Sequence, residues 1–169
     1  MRNRGRYALS RLKIKKPQAL KKILSGFRKK GERIVFTNGC FDLLHYGHVR
    51  YLEAAKKKGD VLVVALNSDS SIKRIKGRKR PIINKDDRAG TIAALESVDY
   101  VTVFDEDTPL KIIKLLRPDI IVKGADWNHK NIVGADFVRS YGGKVDTLKL
   151  SQGRSTTAII EKIVKDSQD

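Results

Sequence analysis

Residues 33–48 have the sequence RIVFTNGCFDLLHYGH. Its opening run of β-branched and aromatic residues predicts a strand, and after a polar turn a helix begins near Tyr46. This boundary places His45 at the helix cap and His48 three residues further on, so both imidazoles face the same side. Gly47 carries no side chain, which leaves room for a ligand close to the backbone. The stretch therefore predicts a strand, a turn and a helix N-terminus that together present two histidines.

Strand-like and helix-like segments alternate outward from this stretch. The predicted strands are residues 33–37, 60–66, 100–104, 119–124 and 144–150. The predicted helices are residues 17–30, 46–59, 86–97, 108–116, 134–142 and 155–166, and Asn67–Asn84 is predicted to be a polar, basic loop. Strands without clear polar alternation, separated by helices, indicate a Rossmann-like, doubly wound α/β fold with a parallel sheet of about five strands. Ligands bind such folds beyond the carboxyl ends of the strands, where the strand order reverses.

The composition fits one domain in a reducing compartment. With 169 residues, 40% of them hydrophobic, the chain can bury one sizeable core, and we expect a single domain over residues 17–169. Cys40 is the one cysteine, so the chain can form no intramolecular disulfide. The sequence has no apolar run of roughly 18 to 20 residues and no secretory signal core, so we expect a cytoplasmic protein without a membrane partner.

The net charge of +17 is concentrated near the N-terminus. Residues 1–33 contain 13 Lys and Arg and a single acid, Glu32. The first dozen residues show no periodic apolar face, so residues 1–16 are predicted to be a disordered basic arm. The sequence leaves open whether this arm grips a polyanion, resembles a transit peptide or is a solvated tail.

Three kinds of site fit the two histidines. A helix N-terminus offers free N–H groups and a positive dipole end, and together with two imidazoles it makes a cradle for phosphate. A zinc site needs further ligands at suitable spacing, and the H-E-x-x-H pattern is absent. A structural capping pair is the third alternative. Neither G-x-G-x-x-G nor a Walker loop occurs at this turn, so a phosphate site here is of another kind.

A basic segment follows the second predicted strand. SIKRIKGRKRPI, residues 71–82, contains six Lys and Arg between Lys73 and Arg80. Alone, such a run is typical of a solvated or polyanion-binding surface. Because it follows the sheet edge that carries the histidines, its cations are also candidates for neutralising phosphates. Arg88, at the start of the next helix, is a candidate phosphate ligand or a surface residue.

GCFDLLHYGH resembles the H-x-G-H signature of the nucleotidyltransferase superfamily, which includes the cytidylyltransferases. Together with VALNSD, KGRKRPI, VKGADW and STTAII, it resembles more narrowly the adenylyltransferase domain of heptose biosynthesis, from about Arg33 to the end of the chain. The resemblance implies the nucleotidyltransferase fold and the reaction of D-glycero-β-D-manno-heptose 1-phosphate with ATP to give ADP-heptose and pyrophosphate. It also implies Mg²⁺ with the ATP, and a homodimer.

The same resemblance implies roles for individual residues. The expected catalytic residues are His45, His48 and Lys76. The expected nucleotide-binding residues are Thr37, Asn38, Gly39, Cys40, Phe41, Gly47, Lys123, Gly124, Asp126, Ser155, Thr156 and Thr157. The expected sugar-phosphate-binding residues are Asp42, Asn67, Asp69 and Arg80, and no protein ligand to a metal is expected.

Several of these residues also have a purely structural interpretation. Asp42 suits a turn or the start of a helix, and Asp69 suits the cap of the segment that follows it. Ser155, Thr156 and Thr157 are typical helix caps as well as candidate phosphate ligands. Trp127 is as suited to a core or an interface as to stacking on a base.

Two alternative functions stay open. One is cytidylylation of a polyol phosphate such as glycerol 3-phosphate; Leu150 argues against it, because the enzymes for that substrate usually carry an arginine there. Arg154 departs from the small or apolar residue expected in the heptose enzymes. The other alternative is a nucleic-acid-binding module that uses the basic arm, which the lack of a recognised binding motif and of interleaved aromatic residues disfavours.

Overall fold

The computed structural model describes residues 6–124, 132–148 and 156–167. Its strands are β1 (Ile34–Gly39), β2 (Val61–Asn67), β3 (Tyr100–Phe104), β4 (Ile120–Gly124) and β5 (Lys144–Leu148). Its helices are α1 (Arg6–Lys13), α2 (Pro17–Lys29), α3 (Tyr46–Lys56), α4 (Asp69–Lys76), α5 (Lys85–Ala93), α6 (Leu110–Leu116), α7 (Ala135–Arg139) and α8 (Thr156–Asp166). None of the helices in these ranges combines the length and the apolar character that a membrane span needs.

The strands form one parallel sheet in the order β3-β2-β1-β4-β5. The chain builds outward from β1 to β3, then crosses back and continues from β4 to β5 on the other side of β1. The strand order therefore reverses between β1 and β4, which is where this class of fold binds its ligands. The predicted doubly wound sheet of about five strands is confirmed.

The sheet has an apolar core on each face. Ile34 and Phe36 of β1 point to one face, where they pack with α2, α6 and α7. Val35 points to the other, where α3 and α5 cover the sheet. Successive strand residues alternate between the faces because the side-chain period of a strand is two, and β2 follows the same rule with Val61 and Val63 opposed to Leu62 and Val64. Both faces are buried, which explains the uninterrupted apolar runs in the sequence.

The sequence prediction is wrong for part of Asn67–Asn84, which contains helix α4 rather than only a loop. Ser68 caps the helix, because its hydroxyl accepts a hydrogen bond from the backbone N–H of Ser71 at 3.1 Å. Ile72 is fully buried and anchors the helix to the core. Three of the six basic residues that make this segment look like a loop, Lys73, Arg74 and Lys76, lie in the last turn of α4, where they complement the negative end of the helix dipole.

Residues 6–16 also differ from the predicted disordered arm. Helix α1 packs against α5, and Lys13 donates through Nζ to the carbonyl of Leu95 at 3.0 Å. Ile14 then pairs with Val101 in a parallel bridge, and the N–H of Lys15 donates to the carbonyl of Val101 at 2.9 Å. This part of the basic arm is ordered because it covers the edge strand β3, whose backbone groups need partners.

Candidate active site

The candidate site lies at the carboxyl ends of β1 and β4. Lys123, near the end of β4, is 93% buried and donates through Nζ to the backbone carbonyl of Asn38 at 3.2 Å and to the Asn38 side-chain oxygen. This contact joins β4 to β1 and holds the Lys123 ammonium group at the point where the strand order reverses. A cavity of about 410 Å³ opens at this edge of the sheet.

The two histidines meet at the start of α3. His45 is the N-cap residue and His48 occupies the third helical position, and their rings stack with centroids 3.9 Å apart. The backbone N–H of His45 donates to Nδ1 of His48 at 3.3 Å. Because Nδ1 accepts, the proton of a neutral His48 ring must lie on Nε2. His48 lines the cavity, so this N–H is a candidate donor toward a ligand. The predicted common face of the two imidazoles is confirmed.

His48 is held neutral by its surroundings. Burial, and to a smaller extent the neighbouring His45, lower the pKa of His48 from its usual 6.5 to about 4. At pH 7 the ring therefore carries no charge and acts as a hydrogen-bond donor rather than as an imidazolium.

The turn before α3 has an unusual backbone at Phe41. Its φ is +45°, in the left-handed region that residues other than glycine seldom adopt. The Phe41 ring lies 5.3 Å from that of His48 and comes so close to Gly39 that a Cβ there would meet it at 3.0 Å. The glycine at 39 and the aromatic residue at 41 thus form one packing unit that shapes the turn behind His48.

Asp42 anchors the basic segment that follows α4. Its buried carboxylate forms an ion pair with Arg80 at 2.8 Å and accepts hydrogen bonds from the N–H groups of Ile82 and Ile83 at 2.9 Å. These contacts are structural, but they reach a distant segment of the chain rather than the turn or helix start that the sequence analysis considered; a direct contact with a substrate stays a prediction. The result is that Arg80 faces the same cavity as His48.

Arg88 is the most completely buried charged side chain among the described residues. Its guanidinium donates to the carbonyls of Ile83, Cys40 and Asn67 at 3.0, 2.6 and 2.9 Å, and to the Asp69 carboxylate at 2.7 Å. It thereby ties the end of β2, the turn before α3 and the basic segment to α5. Of the two alternatives for Arg88, a surface position is wrong; its donors are used on protein carbonyls and on Asp69.

The structure brings most predicted site residues to one cavity. Its lining includes Asn38, Gly39, Cys40, Phe41, Asp42, His48, Asn67, Lys76, Arg80, Lys123, Gly124, Thr156 and Thr157. Among the described residues, Thr37, His45, Gly47 and Asp69 lie outside the lining. Asp126 and Ser155 fall outside the described residues, as do Trp127, Leu150 and Arg154.

Cys40 contributes its backbone more clearly than its thiol. Its carbonyl accepts the bond from Arg88 described above, and burial raises the pKa of its thiol. A thiol with a raised pKa stays protonated at neutral pH and is a weak nucleophile.

The sequence prediction missed several lining residues: Tyr51, Ile75, Asp107, Thr108, Pro109 and Val133. Tyr51 lies one helical turn after His48, a spacing that places it on the same helix face. Its hydroxyl lies 2.8 Å from Thr37 Oγ1 and donates to the carbonyl of Val122 at 3.0 Å, linking β1 to β4. The segment after β3 contributes Asp107, Thr108 and Pro109. No local sequence pattern predicts that they line the cavity, because their position depends on the strand order.

The cavity is suited to an anion with several phosphate groups. Lys76, Arg80 and Lys123 supply cations, His48 supplies a neutral donor, and the N-terminus of α3 supplies a positive dipole end. In the described part of the chain, no group of three or more His, Cys, Asp or Glu side chains is arranged to hold a metal ion.

Comparisons with known proteins agree with this arrangement. A family described as cytidylyltransferase-like matches residues 36–162. The bifunctional protein HldE of Syntrophotalea carbinolica is 55% identical over 152 residues, which are 90% of this chain and 31% of that protein. The bifunctional protein HldE of Geobacter sulfurreducens is 54% identical over 153 residues, with the same coverage. The chain therefore spans about a third of the length of these relatives.

Two solved structures are similar in fold. The lipopolysaccharide core biosynthesis protein of Thermoplasma volcanium superposes with a TM-score of 0.60 at 32% identity, covering 73% of this chain and all of that one. The pantoate-beta-alanine ligase of Francisella tularensis superposes with a TM-score of 0.59 at 14% identity, covering 85% of this chain and 68% of that one. At that identity, the second likeness concerns the fold alone.

Proposed function

The chain belongs to the cytidylyltransferase-like family, and on that basis we propose that it transfers AMP from ATP to a sugar 1-phosphate, releasing pyrophosphate. The proposed acceptor is D-glycero-β-D-manno-heptose 1-phosphate, with ADP-heptose, an intermediate for lipopolysaccharide, as the product. The relatives named HldE are bifunctional, and this chain matches 31% of their length. Their name therefore does not show which of the two activities belongs to the matching part. The family and the geometry of the site favour nucleotidyl transfer.

The observation that carries this proposal is the placement of His48. It lines the cavity as a neutral ring whose Nδ1 is occupied by the N–H of His45, at a helix N-terminus and beside three cationic side chains. A donor fixed in this way can stabilise the charge that develops on the oxygens of the α-phosphorus as it becomes pentacoordinate. Since the sugar phosphate is already an anionic nucleophile, the reaction needs positioning and charge neutralisation rather than a covalent enzyme intermediate.

The strand order suggests which substrate lies where. Asn38, Lys123, Thr156 and Thr157 surround the β1–β4 side of the cavity, and we assign this side to ATP. Lys76 and Arg80 come from the segment after β2, and we assign them to the phosphate of the sugar and to the α-phosphate that it attacks. The sugar phosphate oxygen would attack in line, and pyrophosphate would leave on the opposite side, toward Lys123.

A divalent cation, Mg²⁺, is proposed to enter with ATP. Mg²⁺ usually retains several waters and binds through phosphates with few protein ligands, so a site without a carboxylate cluster among the described residues is suited to it. When bound, it would neutralise charge on the leaving pyrophosphate. The cationic side chains of the cavity would then orient the remaining phosphate oxygens.

We also propose that the chain forms a homodimer through α8. None of the residues of this helix is buried, and Ile163 and Val164 are 59% and 50% exposed. The helix carries two acids and two lysines, so it is charge-balanced in a chain of net charge +17. A face without net charge is where two such cationic chains can approach each other. The use of ATP and the lone cysteine support a cytoplasmic site of action.

The proposed reaction is tested by measuring pyrophosphate release. ATP, CTP and GTP are each combined with D-glycero-β-D-manno-heptose 1-phosphate and with glycerol 3-phosphate. We expect turnover with ATP and the heptose phosphate. Turnover with CTP and glycerol 3-phosphate would instead support the alternative cytidylyltransferase, and no turnover with ATP and the heptose phosphate would refute the proposal.

A further inference from the structure

One wall of the cavity has no role in the function proposed above. It consists of Asp107, Thr108 and Pro109, which follow β3, together with Ile75 from α4. In the sheet, β3 lies beyond β2, on the side of β1 away from β4. This wall therefore lies on the opposite side of the cavity from Lys123 of β4.

The two sides of the cavity differ in charge. Lys123 and His48, from β4 and from the helix after β1, offer donors, and Lys76 and Arg80, from the segment after β2, offer cations. Asp107 offers an anion, which repels phosphate but accepts hydrogen bonds from neutral hydroxyl groups. The cavity is thus suited to a ligand with a phosphate at one end and hydroxyls at the other.

The Asp107 carboxylate is held in place from outside the cavity. Arg74 donates through Nε to Asp107 Oδ1 at 2.7 Å, and the same guanidinium donates to the backbone carbonyl of Asp105. Arg74 engages Oδ1, and a carboxylate with one oxygen engaged retains lone pairs on both oxygens that can accept hydrogen bonds from a ligand. A carboxylate fixed by an arginine loses less conformational freedom when it binds a ligand.

The apolar neighbours of Asp107 complete this wall. Pro109 is buried and Ile75 is 44% exposed, and both line the cavity. Sugar rings present C–H groups on one face and hydroxyls at their edges, so an apolar surface next to a carboxylate and a hydroxyl matches both parts. Thr108 supplies that hydroxyl.

We propose that Asp107 and Thr108, backed by Pro109 and Ile75, form the subsite that binds the hydroxyl groups of the sugar phosphate. The inference rests on the proposed function and deepens it. It assigns the hydroxyl groups of the sugar to Asp107 and Thr108, whereas the phosphate of the sugar is assigned to Lys76 and Arg80. Asp107 selects a polyhydroxylated acceptor, and Arg74 is a positioning residue that acts through Asp107.

The test is the variant Asp107→Asn, which keeps the size of the side chain and removes its charge. We expect the KM for the heptose phosphate to rise about tenfold or more, because a charge-assisted hydrogen bond is weakened, while the KM for ATP changes by less than about twofold. Arg74→Gln should give a smaller rise in the same KM. Removal of one sugar hydroxyl from the substrate should raise the KM less in Asp107→Asn than in the wild-type chain, because the variant has already lost the contact with that hydroxyl.

The matched control is Glu106→Gln, which neutralises the adjacent carboxylate. Glu106 pairs with Lys111, and neither residue lines the cavity. This control should leave both KM values unchanged, and thermal unfolding checks that all variants are folded. A rise in the KM for ATP alone would mean that Asp107 binds the ribose and would overturn the inference. Unchanged KM values for both substrates would also overturn it.

Failure of the proposed reaction is a separate outcome. If the wild-type chain turns over no sugar 1-phosphate, calorimetric titration with the heptose phosphate still tests the subsite. Binding to the wild-type chain and to Glu106→Gln that is lost in Asp107→Asn would support it. Equal binding to all three, or no binding to the wild-type chain, would refute it.

Discussion

A single hydrogen bond decides what His48 can do. The N–H of His45 occupies Nδ1 of His48, and burial keeps the ring neutral, so the remaining N–H on Nε2 is directed by the turn rather than by solvent. A neutral donor costs less to bury than an imidazolium and gains strength as negative charge develops beside it. His48 is therefore suited to stabilising a transition state more than to holding ATP in its ground state.

The first prediction concerns the variant His48→Ala. We expect kcat to fall about 10²–10³-fold while the Kd for ATP changes less than about threefold, because the lost donor acts mainly on the transition state. Steady-state kinetics and titration calorimetry measure the two quantities. Arg50→Ala, exposed on the same helix, is the control and should change neither. A Kd that rises as much as kcat falls would make His48 a ground-state ligand.

The second prediction concerns the titration of His48. Its pKa in the folded chain is about 4, below the usual 6.5, so the unfolded chain binds more protons between these values and the free energy of unfolding decreases as the pH falls through this window. An NMR titration of the histidine rings should show this midpoint, with the resonance assigned by its loss in His48→Gln. Bound ATP should raise the pKa, since its phosphates favour the imidazolium. A midpoint near 6.5 in the free protein would contradict the burial argument.

Among the elements, the segment between α4 and α5 depends on two buried charges. Asp42 holds it from the turn before α3, and Arg88 holds it from α5. Both side chains bind backbone groups of distant residues. Asp42 accepts from the N–H groups of Ile82 and Ile83, and Arg88 donates to the carbonyl of Ile83. These contacts make the basic segment part of the cavity rather than a solvated loop.

The third prediction concerns Asp42→Asn, which removes the charge opposite Arg80 and keeps an acceptor for Ile82 and Ile83. We expect the free energy of unfolding in urea to fall by about 2 kcal/mol, because Arg80 loses a buried partner. Trypsin should also cleave faster after Arg78 and Lys79. Asp86→Asn is the control, since that carboxylate is exposed and pairs only with Lys85 among the described residues. Unchanged stability and cleavage would show that Asp42 does not anchor the segment.

At the scale of the whole molecule, charge and apolar surface are distributed unevenly. The basic residues before β1 include those of α1, which packs against α5, whereas α8 at the other end of the chain is charge-balanced and has no buried residue. An isolated helix of this length is marginal in water, so α8 gains stability if its apolar residues are covered. Because Thr156 and Thr157 at its start line the cavity, association through α8 would also order the site.

The fourth prediction concerns the oligomeric state. Sedimentation velocity should show a dimer for the wild-type chain and a monomer for Ile163→Glu, which places a charge on the apolar face of α8. Leu9→Glu changes an equally exposed apolar residue on α1 and should leave the dimer intact. A monomeric wild-type chain, or a dimer that survives Ile163→Glu, would refute the proposed interface.

Local signals predicted the frame of the site well. The turn after β1, the cap at His45 and the spacing of His48 depend on residues close in sequence, and the structure confirms them. Lys76, Arg80 and Lys123 reach the cavity as expected. The sequence does not predict helix α4 within residues 67–84, because the many charges of this segment obscure the signals from the buried Ile72 and the cap at Ser68.

Periodicity, caps and turns act over a few residues, so the amino-acid sequence is enough to predict the alternation of strands and helices, the parallel sheet and the two histidines at a helix N-terminus. The roles of Arg88 and Asp42 and the presence of Asp107 in the cavity arise from contacts between distant parts of the chain. These depend on the order β3-β2-β1-β4-β5, which brings together residues that are distant in the chain. Local sequence patterns do not predict which strands become neighbours, because the strand order depends on how the helices cover both faces of the sheet.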